Sequence, residues 1–523
     1  MSSSRTSSIV PTRPSLETRP KRQPVSAGDP ERVVVLGGGL AGLAAAVRLA
    51  EHGLPVTLVE TRKKLGGRAT SFTDPATGDT LDNCQHVLMR GCTNLIDFYQ
   101  RLGVDDRLEW HRSLFFADRQ GHVDRFEADD LPAPLHLVRP MLSMQSLKLR
   151  EKLAIARGML AVMQVSRRRR ETLSEESFAD WLVRQHQPPG AVEKFWAHVV
   201  ISACNEVPER VAASYAIQVF QEGFLYSSDA YEMALPRVPL RVLYDPAKAI
   251  IERHRGEVLL GASAERLVAG EGGRVRSLRL TSGENLAAGA FVSSVPFDRL
   301  AKLVDPEMVR RDDRLQRLEQ MEVSPIIAVH LFFRRSDGRP VMDLPHLSLM
   351  GSPLHWIFNK TGALAEGGAA GEGSRPGGPA RPQLPPAEAA KPVQHLHGVI
   401  SAAHDLVVQP SAQIISLAVA ETRRALPWAR DAELVHARVV KEKRATFSIA
   451  PGTDRLRPLA RGTTENLYLA GDWVRTGWPA TMEGAVRSGY RAAEAVLRDR
   501  GASDADLMAQ DIQPGRLYRW LSG

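Results

Sequence analysis

Residues 33–60 read VVVLGGGLAGLAAAVRLAEHGLPVTLVE. Val33 to Leu36 is a short continuous apolar run, Gly37 to Gly39 a glycine cluster, Leu40 to His52 a helical pattern and Val56 to Val59 a second apolar run. The spacing predicts a strand, a helix and a second, parallel strand. In such a unit Gly37 permits the tight turn, Gly39 lets the backbone approach a pyrophosphate, and Gly42 lets helix and strand pack closely. Leu40 and Ala41 open the helix, whose free N–H groups and positive dipole end suit phosphate. Glu60 ends the second strand, where an acid accepts hydrogen bonds from an adenosine ribose, and Thr61 follows it. Arg62 would suit a 2′-phosphate but is equally explained by solvation at the surface.

The next element separates FAD from NAD. Leu65-Gly66-Gly67-Arg68-Ala69 places a glycine pair and an arginine just past the second strand. The glycines let the chain turn beneath the cofactor, and Arg68 can neutralise a pyrophosphate or ribityl region in bidentate fashion. The far end supplies a matching piece, Leu469-Ala470-Gly471-Asp472-Trp473, followed by Pro479 to Ala485 and a helix from about Met482 to Arg498. Asp472 can offer its carboxylate to a ribityl hydroxyl. The helix beginning at Thr481 and Met482 can aim N–H groups at an electron-rich isoalloxazine oxygen. FAD is therefore the expected cofactor, and the two chain ends are expected to share one sheet.

Further strands are read at Val258–Leu260, Val275–Leu280 and Ala290–Ser293, and a largely helical stretch between Leu131 and Gln187. The expected fold is α/β: a Rossmann-type FAD-binding domain of the GR2-like flavoprotein kind, interleaved with an α+β substrate-binding domain. Its expected FAD-binding parts are 30–130, 246–300 and 446–500, and its substrate-binding parts 131–245 and 301–445. Residues 1–29, rich in Ser, Thr, Pro and Arg, read as a disordered tail without the apolar stretch of a secretory signal. Gly362 to Pro392, dominated by Ala, Gly and Pro, reads as a flexible insertion, and 501–523 as a C-terminal tail.

Composition sets the outer limits. The 523 residues, 43% hydrophobic and 24% charged, exceed one domain and match a globular chain rather than a disordered, collagenous or polytopic one. No segment offers the ~18 to 20 uncharged apolar residues of a membrane span; the best window, Leu406 to Ala420, is broken by Gln, Pro and Ser. The net charge of +8 is densest at Arg167 to Arg170, but no zinc-finger, RNP or basic-heptad pattern surrounds it, so no nucleic-acid partner is expected. Leu147 to Arg170 is amphipathic and basic; it reads as an ordinary covering helix or as a helix on a lipid surface. Three cysteines, Cys84, Cys92 and Cys204, fit a reducing compartment. His395 and His397 lack partners at zinc spacing, and no metal is expected.

Taken together, the glycine cluster, Glu60, Gly66-Gly67-Arg68 and Gly471-Asp472 resemble the FAD-binding halves of the amine oxidase and phytoene desaturase superfamily. In that superfamily a mid-chain strand touches the adenine, and Ala264 falls at the matching place. Four segments narrow the resemblance to the hydroxysqualene dehydroxylases, squalene-associated FAD-dependent enzymes of hopanoid synthesis: Leu81 to Leu88, Ala203 to Glu209, Leu235 to Leu240, and Gly471 to Ala485. Cys84 stands where that pattern has glycine, and the 362–392 insertion lies outside it.

The resemblance implies an apolar C30 isoprenoid substrate whose allylic hydroxyl is replaced by hydrogen to give squalene. It further implies peripheral association with the inner, cytoplasmic face of a membrane, and an electron donor it does not name. Asp82 and His86 lie just beyond the flavin arginine and are the expected proton donors; capping a turn is the competing role. Glu483 sits at a helix start that favours a carboxylate through the dipole. Other readings are a carotenoid-type desaturase, an amine oxidase with Trp473 and Trp478 lining an aromatic cage, and an FAD-bound scaffold without turnover.

Overall fold

The computed structural model describes residues 29–361 and 392–522; nearly all of the expected tail 1–29 and of the 362–392 insertion lies outside them. Val33–Leu36 is buried along its whole length, as a strand of four apolar side chains must be when it is covered on both faces. It is the middle of a five-stranded parallel sheet ordered Glu257–Leu260, Val56–Glu60, Val33–Leu36, Ala290–Ser293, Leu467–Leu469. Strands from both ends and the middle of the chain therefore meet in one sheet. A three-stranded antiparallel sheet follows its edge: Ala264–Ala269, Val275–Leu280 and Asn285–Ala287.

On this sheet the helix Leu40–Glu51 runs against the closing helix Met482–Asp499. The run of alanines in the first helix has its reason here. A Cβ on Gly489 would lie 2.3 Å from the Ala41 carbonyl oxygen and 2.9 Å from the Ala44 Cβ. Two helix backbones can approach this closely only where neither carries a larger side chain.

The second domain is built on a seven-stranded sheet ordered Glu433–Phe447, Val323–Arg334, Val393–Ile400, Trp356–Asn359, His346–Leu349, Leu114–Ala117, Val123–Phe126. Alternation along Val323–Arg334 turns Ile327, Val329, Leu331 and Phe333 into one core with Ile414 and Ala418 of the helix Ser411–Ala425. The opposite face carries Ala328, His330 and Phe332, and the register sets His397 beside His330 and His395 beside Phe332. The helices Leu149–Met163, Phe178–Arg184, Ala197–Cys204 and Ala213–Phe220 enclose an aromatic core in which Trp196 and Phe220 meet edge to face at 4.7 Å.

Two boundaries differ from the expected ones. Leu114–Ala117 and Val123–Phe126, assigned above to the FAD-binding part ending at 130, belong to the large sheet, where Phe116 pairs with Ser348. An apolar run and an alternating run mark them as strands but do not encode which sheet they join. The C-terminal tail ends in a helix, Arg516–Ser522, that packs back: Tyr518 meets Tyr226 edge to face at 5.0 Å, and its hydroxyl donates to the Met163 carbonyl.

Replacing Gly489 with valine forces the two crossing helices apart. The expected cost is about 1–3 kcal/mol, read as an earlier denaturation midpoint together with loss of bound flavin. An unchanged midpoint would mean that the crossing is not close.

Candidate active site

The glycine-rich turn is built as its spacing requires. Gly37 has a φ of +99°, and a Cβ there would sit 2.7 Å from the Ser294 hydroxyl oxygen; a Cβ on Gly42 would collide with the Gly37 carbonyl at 2.0 Å. Gly39 begins the first helix with no side-chain cap, and no acid follows in its first turn. The opening N–H groups, from Leu40 onward, have no intrahelical acceptor, and the dipole end is left positive. A Cβ on Gly39 would meet nothing nearer than the Gly67 Cα at 3.8 Å, so the mouth of the turn is roomy.

The second glycine pair lies directly on the first. Gly66 N–H donates to the Gly38 carbonyl at 2.9 Å, and Ala69 N–H to the Gly66 carbonyl at 3.0 Å. Glu60 is buried; one carboxylate oxygen accepts Gly38 N–H and the other Arg62 N–H, each at 2.7 Å. Thr61 beside it is exposed. Ala262 N–H donates to the Glu60 carbonyl, which brings the segment leading into Ala264 alongside the acid. Across the cleft, Arg68 pairs with the buried Asp472 at 2.5 Å and donates to the Ala445 carbonyl at 2.8 Å. Gly471, at φ +131°, donates its N–H to the Ser488 hydroxyl. Thr481 caps the closing helix by accepting Gly484 N–H, and Met482 is its first residue.

An uncapped helix start without acids, a glycine cradle with open space before it, a buried strand-end acid and an arginine opposite a carboxylate fit FAD. Gly37, Gly39, Gly42 and Glu60 would hold the adenosine diphosphate half, and Gly66 to Ala69, Asp472, Thr481 and Met482 the flavin half.

The residues expected to move a proton lie one layer behind Arg68. Asn83 donates to the Arg68 carbonyl at 2.5 Å and to Glu442 at 3.1 Å, and accepts Thr70 N–H. The Asp82 carboxylate accepts from the Ser71 hydroxyl at 2.7 Å and Leu240 N–H at 3.0 Å, and pairs with Lys360 at 3.2 Å. These contacts join two strands to the loop after 239, the holding role set out above as the alternative for this acid. Burial lowers the His86 pKa and leaves its ring neutral near pH 7. Its Nδ1–H donates to the Cys84 carbonyl, which leaves Nε2 as an acceptor. Cys84 is buried, and its thiol is pushed up to about 12 by that burial.

Beyond His86 stand buried imidazoles on the large sheet. His330 Nε2–H donates to the Asp82 carbonyl at 3.0 Å, so its Nδ1 accepts from His395 at 2.9 Å. His397, with its ring 4.2 Å from that of His330, is wholly buried, and neither of its nitrogens has a partner among the described residues. His86 is close enough to disfavour a charge on it. By sequence, His395 and His397 read only as a pair without partners at zinc spacing. Two histidines at strand spacing inside an apolar run were the available signal; Lys360 and Glu442 offered none. Glu483 does not act through the dipole alone: it accepts Leu95 N–H at 2.7 Å and pairs with Arg487, fixing the start of the helix Thr93–Leu102. Nor are Trp473 and Trp478 free to line a cage, since Trp473 is buried against Phe297 and Trp478 lies under the Arg487 guanidinium at 4.5 Å.

Arg68→Ala is expected to weaken flavin retention roughly tenfold to a hundredfold, the value of a charged hydrogen-bonded contact, as read by flavin released on dilution. A second expectation concerns pH. Burial holds His136 and His330 at about 4 and His198 and His346 at about 3. Below about 6.5 the unfolded chain takes up protons that the folded chain refuses. Each such histidine then costs about 1.4 kcal/mol per pH unit as pH falls towards its folded value. Denaturation midpoints that stay level from about pH 7 to 5 would contradict this.

Comparison with known proteins agrees with the geometry. The family described as flavin containing amine oxidoreductase matches residues 40–497. The chain is 28% identical over 482 residues to the 15-cis-phytoene desaturase of Solanum lycopersicum, covering 90% of this chain and 78% of that one. It is 26% identical over 479 residues to the hydroxysqualene dehydroxylase of Sinorhizobium fredii, covering 90% and 99%. Among solved structures, an oxidoreductase from Methanosarcina mazei superimposes with a TM-score of 0.65 at 15% identity, over 89% of this chain and all of that one.

Proposed function

As the chain belongs to the flavin-containing amine oxidoreductase family, we propose that this FAD-dependent oxidoreductase removes the allylic hydroxyl of hydroxysqualene and leaves squalene. Similarity to a hydroxysqualene dehydroxylase along 99% of that protein supports the reading. The observation that carries it is His397. A buried imidazole with both nitrogens unpartnered is costly by about 1–3 kcal/mol unless something polar arrives. Its neighbours on that face, Ala328, Val399 and Phe358, suit hydrocarbon. A long apolar substrate with one hydroxyl satisfies both demands: His397 N–H donates to its oxygen, and His86 Nε2 accepts its O–H.

Gly66 to Ala69, Asp472, Thr481 and Met482 would hold the flavin, which when bound and reduced would supply a hydride to the carbon that loses its oxygen. The carbon–oxygen bond breaks, a carbon–hydrogen bond forms, and one proton taken up at the His86–His397 pair lets the oxygen leave as water. The apolar walls keep other water from the carbon. Asp82, tied to Lys360, fixes the end of the strand Thr80–Asp82 from which the loop carrying His86 departs.

A second reading, desaturation of a carotenoid precursor, is favoured by the 28% identity to the tomato phytoene desaturase. It needs no hydroxyl and gives a conjugated polyene. An anaerobic assay with FAD, a reductant and 12-hydroxysqualene, followed by mass analysis of the extracted lipid, separates the two. Squalene that forms only with the reductant present is expected; no squalene, with conjugated product from phytoene, would favour desaturation. His397→Phe is expected to lower kcat/KM about tenfold with flavin content unchanged.

A further inference from the structure

The helix Leu149–Met163 has two apolar faces. Its inner face, Ile155 and Val162, is packed in the core. Its outer face repeats Leu149, Leu153, Ala156 and Leu160 at helical spacing, and the three leucines are 67%, 63% and 55% exposed. A helix that only covers a domain has polar residues there.

The patch extends beyond the helix. The preceding segment exposes Leu135, Val138 and Leu142, and the Lys152 ammonium donates to the Leu142 carbonyl, joining the two. The terminal helix Arg516–Ser522, held to Met163 through Tyr518, exposes Trp520 at 78%. Nine of the seventeen large apolar side chains left exposed among the described residues lie between Leu131 and Leu160 or at Trp520 and Leu521. Contiguous apolar surface of this kind marks an interaction site.

Charge identifies the partner. From Leu131 to Arg170 there are nine basic residues and one acidic residue, an excess equal to the net +8 of the entire chain. The one acid, Glu151, is buried and turned to Lys194 and the Lys148 N–H, and Arg170 is buried against Glu222, which leaves eight cations to set the charge of this surface. Leucines and a tryptophan beside Arg139, Lys148, Arg150, Arg167 and Arg168 meet both layers of an anionic bilayer surface: acyl chains for the stripe, phosphates for the cations.

We infer that this face docks the protein on an anionic lipid surface, lying in the interface without crossing it. No helix among the described residues is long and apolar enough to span. The inference stands on the surface alone and does not depend on which isoprenoid is the substrate.

The test is co-flotation of the FAD-bound protein with vesicles of equal parts phosphatidylglycerol and phosphatidylcholine, against pure phosphatidylcholine, with no substrate present. The protein is expected to float with the anionic vesicles and much less with the neutral ones. Combined Arg139→Gln, Arg150→Gln and Arg168→Gln should weaken binding on the order of a hundredfold, at about one kcal/mol per charge. Combined Leu149→Ser, Leu153→Ser and Leu160→Ser should abolish it, with flavin content and denaturation midpoint showing that the variant remains folded. Failure of the parent protein to float, equal flotation on both vesicles, or variants that float as it does would each overturn the inference; the first would point to an acidic protein partner instead.

Discussion

Everything that binds the cofactor depends on one close approach, that of the helix Leu40–Glu51 to the helix Met482–Asp499. The first starts uncapped, as a phosphate site would need, and the second begins at Thr481 and Met482, which would hold the flavin half. Gly489 against Ala41 and Ala44 brings the backbones within reach, and Ser488 beside it takes the Gly471 N–H. The turn before Asp472 is thereby fixed to the same helix. Arg68 then bridges from the Gly66–Gly67 turn to Asp472, so the two halves of the cradle are bound by charge as well as by contact.

Behind this rigid cradle lies a polar layer with a different logic. Asn83, Asp82 and His330 are each satisfied by neighbours and His395 through one ring nitrogen, and a bonded buried network is rigid because each member fixes the next. His397 ends the series without an acceptor or donor of its own. His397 stands at the edge of the network, across from Ala328, Phe358 and Val399 as well as His330.

Much of the flavin cradle could be read directly from residues, because each element there depends on a local backbone requirement. Gly37 needs a positive φ, Gly42 has a carbonyl where a Cβ would stand, and Glu60 ends a strand whose direction is already set. The strands Val275–Leu280 and Ala290–Ser293 emerge at their expected limits for the same reason: short apolar runs between turn residues have few alternatives. The substrate side could not be read in this way. Whether Leu114–Ala117 joins one sheet or the other depends on partners more than two hundred residues away in the chain, such as Ser348. Lys360 meets Asp82 only because Trp356–Asn359 is placed beside Val393–Ile400. The exposed stripe of Leu149, Leu153 and Leu160 was visible as amphipathicity, but a helical pattern alone does not say that the inner face was already filled by Ile155 and Val162.

The order of the parallel sheet has a consequence for how the protein is made. Val33 pairs with Ala290 and Phe291 with Leu467, so the central strand gains its second neighbour only after more than two hundred further residues, and the edge strand after well over a hundred more. Contacts separated this far along the chain form slowly, and until they form the buried strands remain open to other chains. The emerging N-terminal half is thus a nascent species with an unpaired apolar strand edge. Until Ala290–Ser293 and Leu467–Leu469 join it, that edge offers its backbone groups to any other strand that meets it.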